Sequence, residues 1–258
     1  MQPPRSRQIP AIIAVLLIGV AAACTPGGAG VKGDGTSTIE NHPASSAPPD
    51  ISIGVLTPDG TDGYVVTRTD GKLKVAAPTT NRSGNLRLAL VERSSPVSSD
   101  QQACVSWWGP IGSVIQPGLV LRSSFDSGRA RAIMVTDNIW YGNRKDLNVH
   151  VFDSAAGPAR LDLVAQVDME TGLGGLHDPN PPPWRFCARV QGTSLRIKAW
   201  SPTAEPKEPS WEDRSRTKTV ELPENVPTEG RPGIYVGHLE PGTTTEFSDP
   251  ATTAIPPG

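Results

Sequence analysis

From Ile51 onward the chain reads as short apolar runs separated by turn residues. Ile51-Ser-Ile-Gly-Val-Leu56 leads into Pro58-Asp59-Gly60. Tyr64–Thr69 and Lys72–Val75 flank Asp70-Gly71, a pair that predicts a type I′ hairpin because both positions tolerate positive φ. Leu86, Leu88 and Leu90 alternate with Arg87 and Ala89, which puts the leucines on one face of a strand. The same signature recurs at Cys104–Trp108, Leu119–Ser123, Arg131–Thr136, Asn148–Asp153, Leu161–Glu170, Trp184–Gln191 and Ser194–Trp200. No 3.6-residue period is sustained in this part of the chain. About ten regularly spaced strands predict an all-β sandwich or barrel rather than βαβ units.

Two late segments carry the clearest alternation. In Leu161–Glu170, Leu161, Leu163, Ala165, Val167 and Met169 are expected on one face, opposite Asp162, Val164, Gln166, Asp168 and Glu170. In Ser194–Trp200, Leu195, Ile197 and Ala199 oppose Arg196, Lys198 and Trp200. Gly192-Thr193 joins this strand to Trp184–Gln191 as a tight hairpin. The expectation is a half-buried sheet whose second face is solvated.

The N-terminus has a different character. Met1–Pro10 carries Arg5 and Arg7 without an acid, and Ala11–Ala23 is an uncharged apolar run. As a helix that run is roughly 20 Å long, short of the roughly 30 Å hydrocarbon core. It therefore reads as a secretory signal at 1–23. Ala21-Ala22-Ala23-Cys24 then resembles the lipobox of bacterial lipoproteins, in which the cysteine receives a diacylglyceryl group and becomes the new N-terminus. Ala21 stands where leucine is usual, with Val20 one place earlier. A plain signal peptide and an uncleaved anchor are the rival readings. The resemblance implies membrane lipid as a partner through the anchor and a location on the extracytoplasmic face of the cell membrane.

Three cysteines, Cys24, Cys104 and Cys187, are an odd count for a secreted chain. Lipidation of Cys24 leaves Cys104 and Cys187 as an even pair for a disulfide in an oxidising compartment, two buried thiols being the alternative. Residues 24–50, rich in Gly, Pro, Ser and Thr, lack a hydrophobic period and read as a flexible tether, with an ordered arm as the alternative. Residues 51–249 form the expected domain, and 250–258 a disordered tail.

Composition excludes more than it assigns. Gly (26) and Pro (27) argue against a long-helix bundle. A net charge of −2 offers no field to hold a nucleic-acid backbone, so nucleic acid is not an expected partner.

Arg189-Val-Gln-Gly-Thr-Ser-Leu-Arg-Ile-Lys-Ala-Trp200, followed by Glu205-Pro206 and Trp211, resembles the end of concanavalin A-like and laminin-G-type jelly rolls. Arg231–Leu239 and Glu246-Phe-Ser-Asp249 continue the resemblance as closing strands. It covers mainly Leu161 to Asp249 and implies a jelly-roll-like sandwich. Members that hydrolyse β-glucans carry E-x-D-x-E on a strand, where carboxylates two apart address one glycosidic bond. Here the pattern is Gln166-Val-Asp168-Met-Glu170, with an amide at the nucleophile's place. The favoured reading is a non-enzymatic, lipid-anchored binding module for carbohydrate or another envelope component. A divergent glycoside hydrolase and a structural lipoprotein with a protein partner are the alternatives.

The candidate ligand face comprises Asp162, Gln166, Asp168, Glu170, Arg196, Lys198 and Trp200. Among the six tryptophans, the adjacent Trp107 and Trp108 should point one inward and one outward. Trp140 with Tyr141, and Trp184, fall in or near loops; an exposed aromatic face could stack on a sugar. No cofactor is expected. Laminin-G-like domains often hold a calcium ion at one rim, and Asp59, Asp62, Asp137 and Asp178 sit in Gly- or Pro-rich loops, but none forms a D-x-D-x-D-G pattern. His42, His150, His177 and His238 are scattered, without the spacing of a zinc site.

Overall fold

The computed structural model describes residues 45–57, 63–80, 86–111, 114–126, 128–138, 145–157, 160–175 and 177–256. Cys24, His42, Asp59, Asp62, Trp140 and Tyr141 lie outside the described residues, as do the signal and most of the expected tether.

The alternating runs fold into strands β1 (Ile51–Thr57), β2 (Val65–Thr69), β3 (Lys72–Ala76), β4 (Arg87–Glu92), β5 (Gln101–Trp107), β6 (Gln116–Asp126) and β7 (Arg129–Asp137). β8 (Asp146–Asp153), β9 (Leu161–Asp168), the single turn α1 (Glu170–Leu173), β10 (Trp184–Gln191) and β11 (Ser194–Trp200) follow. β12 (Thr217–Glu221), β13 (Arg231–Gly237) and β14 (Thr244–Ala254) complete the chain. They form two antiparallel sheets, ordered β1-β4-β13-β6-β7-β8-β9 and β12-β11-β10-β5-β14-β3-β2. The late strands β13 and β14 insert into the middle of sheets begun by early ones, a jelly-roll-like sandwich as expected.

The inward faces build the core. Leu88 and Leu90 on β4, Val149 on β8, Phe186 on β10 and Ile197 on β11 meet between the sheets. The Asp70-Gly71 turn takes φ of 50° and 77°, the left-handed pair a type I′ hairpin requires. Trp107 is buried against Trp184, ring centroids 5.3 Å apart, while its neighbour Trp108 is exposed. Cys104 and Cys187 stand directly opposite one another on β5 and β10 and are joined by a disulfide.

Four expectations are corrected. A register shift in the β8–β9 ladder pairs Val149 with Ala165 but His150 with Leu163, leaving Val164 as an extra residue. The bulge breaks the alternation: Ala165 and Val167 face the core, whereas Leu163 is 50% exposed and Leu161 packs on the sheet's outer side. Second, β14 runs to Ala254, so residues assigned to a disordered tail pair with β5. Third, the end of the expected tether is laid along β2. Val66 N donates to Ser46 O at 2.7 Å and the Arg68 guanidinium to Asp50 at 2.9 Å, covering what is otherwise a sheet edge.

Fourth, the outward face of β11 is not solvated, because residues 201–216 fold back over it. Lys198 Nζ donates to Pro209 O and ion-pairs with Glu208, both at 2.6 Å, and lies 4.3 Å from the Trp211 ring centroid. Arg189 stacks on the same ring at 4.6 Å, and Trp211 packs on Trp200 and the disulfide. Lys198 is 1% and Trp200 3% exposed.

Candidate functional site

The outer face of the first sheet carries a line of polar side chains, which Tyr235 joins to the apolar cluster of Ala89, Met134 and Phe152 on the same face. Cross-strand register aligns Tyr235 on β13, Gly118 on β6, Thr136 on β7, Asn148 on β8 and Gln166 on β9. Arg87 on β4 and Gln116 on β6 flank this line on one side through Gly237, and His150 on the other beside Met134. Successive outward residues of neighbouring strands lie close enough to act together.

Six of these polar groups, Arg87, Gln116, Thr136, Asn148, His150 and Tyr235, line a depression of about 100 Å³. Tyr235 Oη donates to Gln116 Oε1 at 3.2 Å. Burial pushes the phenol's pKa above its ordinary value, against the opposing pull of Arg87, so Tyr235 is a neutral hydroxyl at any physiological pH. Burial likewise lowers His150 to about 4; the Arg87 charge adds to this and Asp162 opposes it. A neutral imidazole follows. Its Nδ1 is buried without a hydrogen-bond partner among the described atoms. A buried polar atom left alone costs about 1–3 kcal/mol, which a ligand hydroxyl could recover.

A second, larger groove of about 530 Å³ opens on the same side, at the other end of the strands. Ser123, Ser124 and Phe125 from the end of β6, Arg131 from β7, and Pro227–Arg231 enclose it. Its wall is held from behind by Arg122. That residue adopts φ 47° within the register shift of β6, and is buried. Its guanidinium donates to Ser99 O at 2.6 Å, Gly192 O at 2.7 Å and Pro227 O at 3.2 Å. Gln101 Nε2 donates to Gly230 O at 3.1 Å, and a Cβ at Gly230 would lie 2.3 Å from the Arg122 carbonyl carbon. Only glycine permits so close an approach.

The groove and the chain's entry lie at opposite ends of the sandwich. Ser45 and Ser46 bond to Tyr64, whose hydroxyl donates to Leu86 O and accepts from Leu239 N, at the start of β4 and just beyond β13. Arg231 and Val91 of the groove lie at the start of β13 and near the end of β4.

The expected ligand-face residues do not form one surface. Asp162, Gln166 and Asp168 lie on β9 of the first sheet, and Arg196, Lys198 and Trp200 on β11 of the second. The bulge separates Asp162 from the outward-facing Gln166 and Asp168. Only Gln166 reaches the polar line, donating to Asn148 Oδ1 at 2.9 Å. Asp168 accepts from the Glu170 backbone N–H at 2.7 Å; burial, and after it the charges of Asp168 and Glu170, raise the pKa of Asp146. Neither lines either depression. Among the described residues no group of three or more His, Cys, Asp or Glu is placed to hold a metal ion; Asp137 is buried and Asp178 is exposed.

Sequence reading missed Arg87, Gln116, Thr136, Asn148 and Tyr235. A local signal existed at β8, where Asn148 and His150 alternate with Leu147, Val149 and Val151. No local signal connects them to Arg87 or Tyr235.

No protein-family model matches the chain, and no curated protein does. Among solved structures it is similar to the carbohydrate-binding module CBM66 from Bacillus subtilis, at 12% identity and TM-score 0.48, covering 82% of this chain and 100% of that one. A Bacillus subtilis protein of unknown function with a galectin-like fold aligns at 11% identity and TM-score 0.47, over 80% of this chain and 89% of that one. The exoplasmic/lumenal domain of VIP36, bound to Ca2+ and Man3GlcNAc, aligns at 8% identity and TM-score 0.46, over 80% and 84%.

Proposed function

We propose that the chain is a non-enzymatic carbohydrate-binding module, lipid-anchored through Cys24 on the extracytoplasmic face of the membrane. The observation that carries the binding role is the polar depression on the first sheet. Around the Arg87 cation it gathers neutral donors and acceptors of the kind that saccharide hydroxyls require, among them Nδ1 of His150, which has no hydrogen-bond partner among the described residues. Against hydrolysis stands the chemistry of the pattern: Gln166 carries no nucleophilic carboxylate, and the polar depression contains no acid.

A glycan array and a cell-wall-fraction pull-down with the full-length chain in detergent micelles test the binding role. Binding that Asn148→Ala weakens supports it; loss of signal for every polysaccharide overturns it. Mass spectrometry of the membrane fraction tests the anchor. A diacylated N-terminal Cys24 is expected, and an unmodified cytosolic chain beginning at Met1 would refute it.

A further inference from the structure

We infer that the larger groove binds an anionic group carried by a saccharide, with Arg131 and Arg231 as its cationic contacts. This deepens the carbohydrate reading of the same sheet face and rests on it. Arg231 donates through Nη1 to the backbone oxygens of Ser95 and Arg93 and has no carboxylate partner among the described residues. Its Nε and Nη2 carry no described hydrogen bond. The carbonyls orient the guanidinium without neutralising it.

Arg131 is held from below, with Nη2 donating to Asn225 O at 3.0 Å and Nε 3.4 Å from Asp153. Its Nη1 carries no described hydrogen bond, and the residue lines the groove. Asp153 is shared with Arg129, so one carboxylate faces two arginines and cannot cancel both. Two guanidinium groups with spare donors suit an anion's paired oxygens, and Ser124 and the half-buried Phe125 ring supply hydroxyl and apolar contacts for a sugar, while Ser123 is committed to the Arg231 carbonyl. Glu229 also lines the groove, but on its exposed rim. Its charge opposes an anion, which gives the assignment a sign that experiment can read. The groove's volume suits one or two sugar units, given that small-ligand sites span about 300–1,000 Å³.

The test is isothermal titration of the full-length chain in detergent micelles. The probes are an oligogalacturonate, its carboxyl-reduced neutral counterpart of equal length, and a glycerol-phosphate oligomer. The acidic sugar should bind about tenfold more tightly than its reduced form, less so at high salt. Arg231→Gln should erase that difference, and Glu229→Gln should raise affinity about twofold. Glycerol-phosphate binding with the same Arg231 dependence would also support an anion site and name phosphate as the carrier. Equal binding of acidic and reduced forms, or weaker acidic binding by Glu229→Gln, overturns the inference. If Arg231→Gln does not fold, Glu229→Gln decides alone. Neutral-sugar binding that depends on Asn148, with no acidic preference, sinks the groove assignment alone. Absence of all saccharide binding sinks the parent reading with it.

Discussion

Gln166 on β9 and Asn148 on β8 face each other across the ladder, and Gln166 Nε2 donates to Asn148 Oδ1 at 2.9 Å. The residue at the nucleophile's place of a glucanase-like pattern is thus a hydrogen-bond donor that orients the Asn148 amide lining the polar depression. Gln166→Glu should therefore restore the sequence pattern without restoring hydrolysis. The variant should change stability by no more than about 0.5 kcal/mol, as at other exposed positions. A reducing-end assay on β-glucans should stay at background; release of reducing ends by Gln166→Glu would contradict this view of the face.

His150 makes stability pH-dependent in a defined window. Its pKa in the folded chain is about 4, against an ordinary value near 6.5. The unfolded chain therefore binds the extra proton first as pH falls. Stability is unaffected above about pH 6.5, declines between about 6.5 and 4, and stops declining from this cause below about 4. Asp153, held at about 2 chiefly by its hydrogen bond from Arg129, adds a separate loss only at still lower pH. Urea midpoints measured from pH 4 to pH 7 should fall with acid in the native chain and flatten in His150→Gln. A slope unchanged by that substitution would exclude His150 as its source.

Trp211 closes the cover over the second sheet, touching Lys198, Arg189, Trp200 and the disulfide. Trp211→Ala should cost about 2 kcal/mol in urea unfolding, from lost burial and lost cation–π contact. Lys198→Met should cost less, about 1 kcal/mol, because an apolar side chain of similar volume avoids desolvating a charge and leaves Glu208 in solvent, which offsets most of the cost of leaving the Pro209 carbonyl without its donor. A larger loss for Lys198→Met than for Trp211→Ala would reverse the ranking of the two effects.

The Cys104–Cys187 bridge spans 83 residues of sequence. In the chain-entropy model, closing so long a loop contributes roughly 4.5 kcal/mol. Replacing both cysteines by alanine should lower stability by about that amount, with glycan binding on the first sheet retained in whatever fraction remains folded. A double variant that unfolds at the native urea midpoint would show that the bridge constrains little.

What was legible in the sequence was local. Asp70-Gly71 announced its turn because two left-handed residues in succession suit few other pairs. Leu88 and Leu90 announced an inward face because strand side chains alternate. The same rule failed at Leu163, since a single extra residue in β9 shifts the phase and the period itself holds no trace of it. β12 went unseen because Thr217–Glu221 carries only one large apolar residue, Val220, and is a strand by virtue of its pairing with β11.

By itself the sequence determined the period-two alternation, hence strands, hence two apolar faces that must be buried together, and it supplied the cysteine pair. Which strands became neighbours was decided only by the tertiary structure. Arg87 and Tyr235 share a depression because β13 slots between β4 and β6, joining positions far apart in the chain. Whether the outward face of β11 met water was settled the same way, by residues 201–216 folding over Lys198. Alternation specifies which side of a strand a residue occupies. What stands opposite or above it depends on long-range packing, and no local pattern carries that.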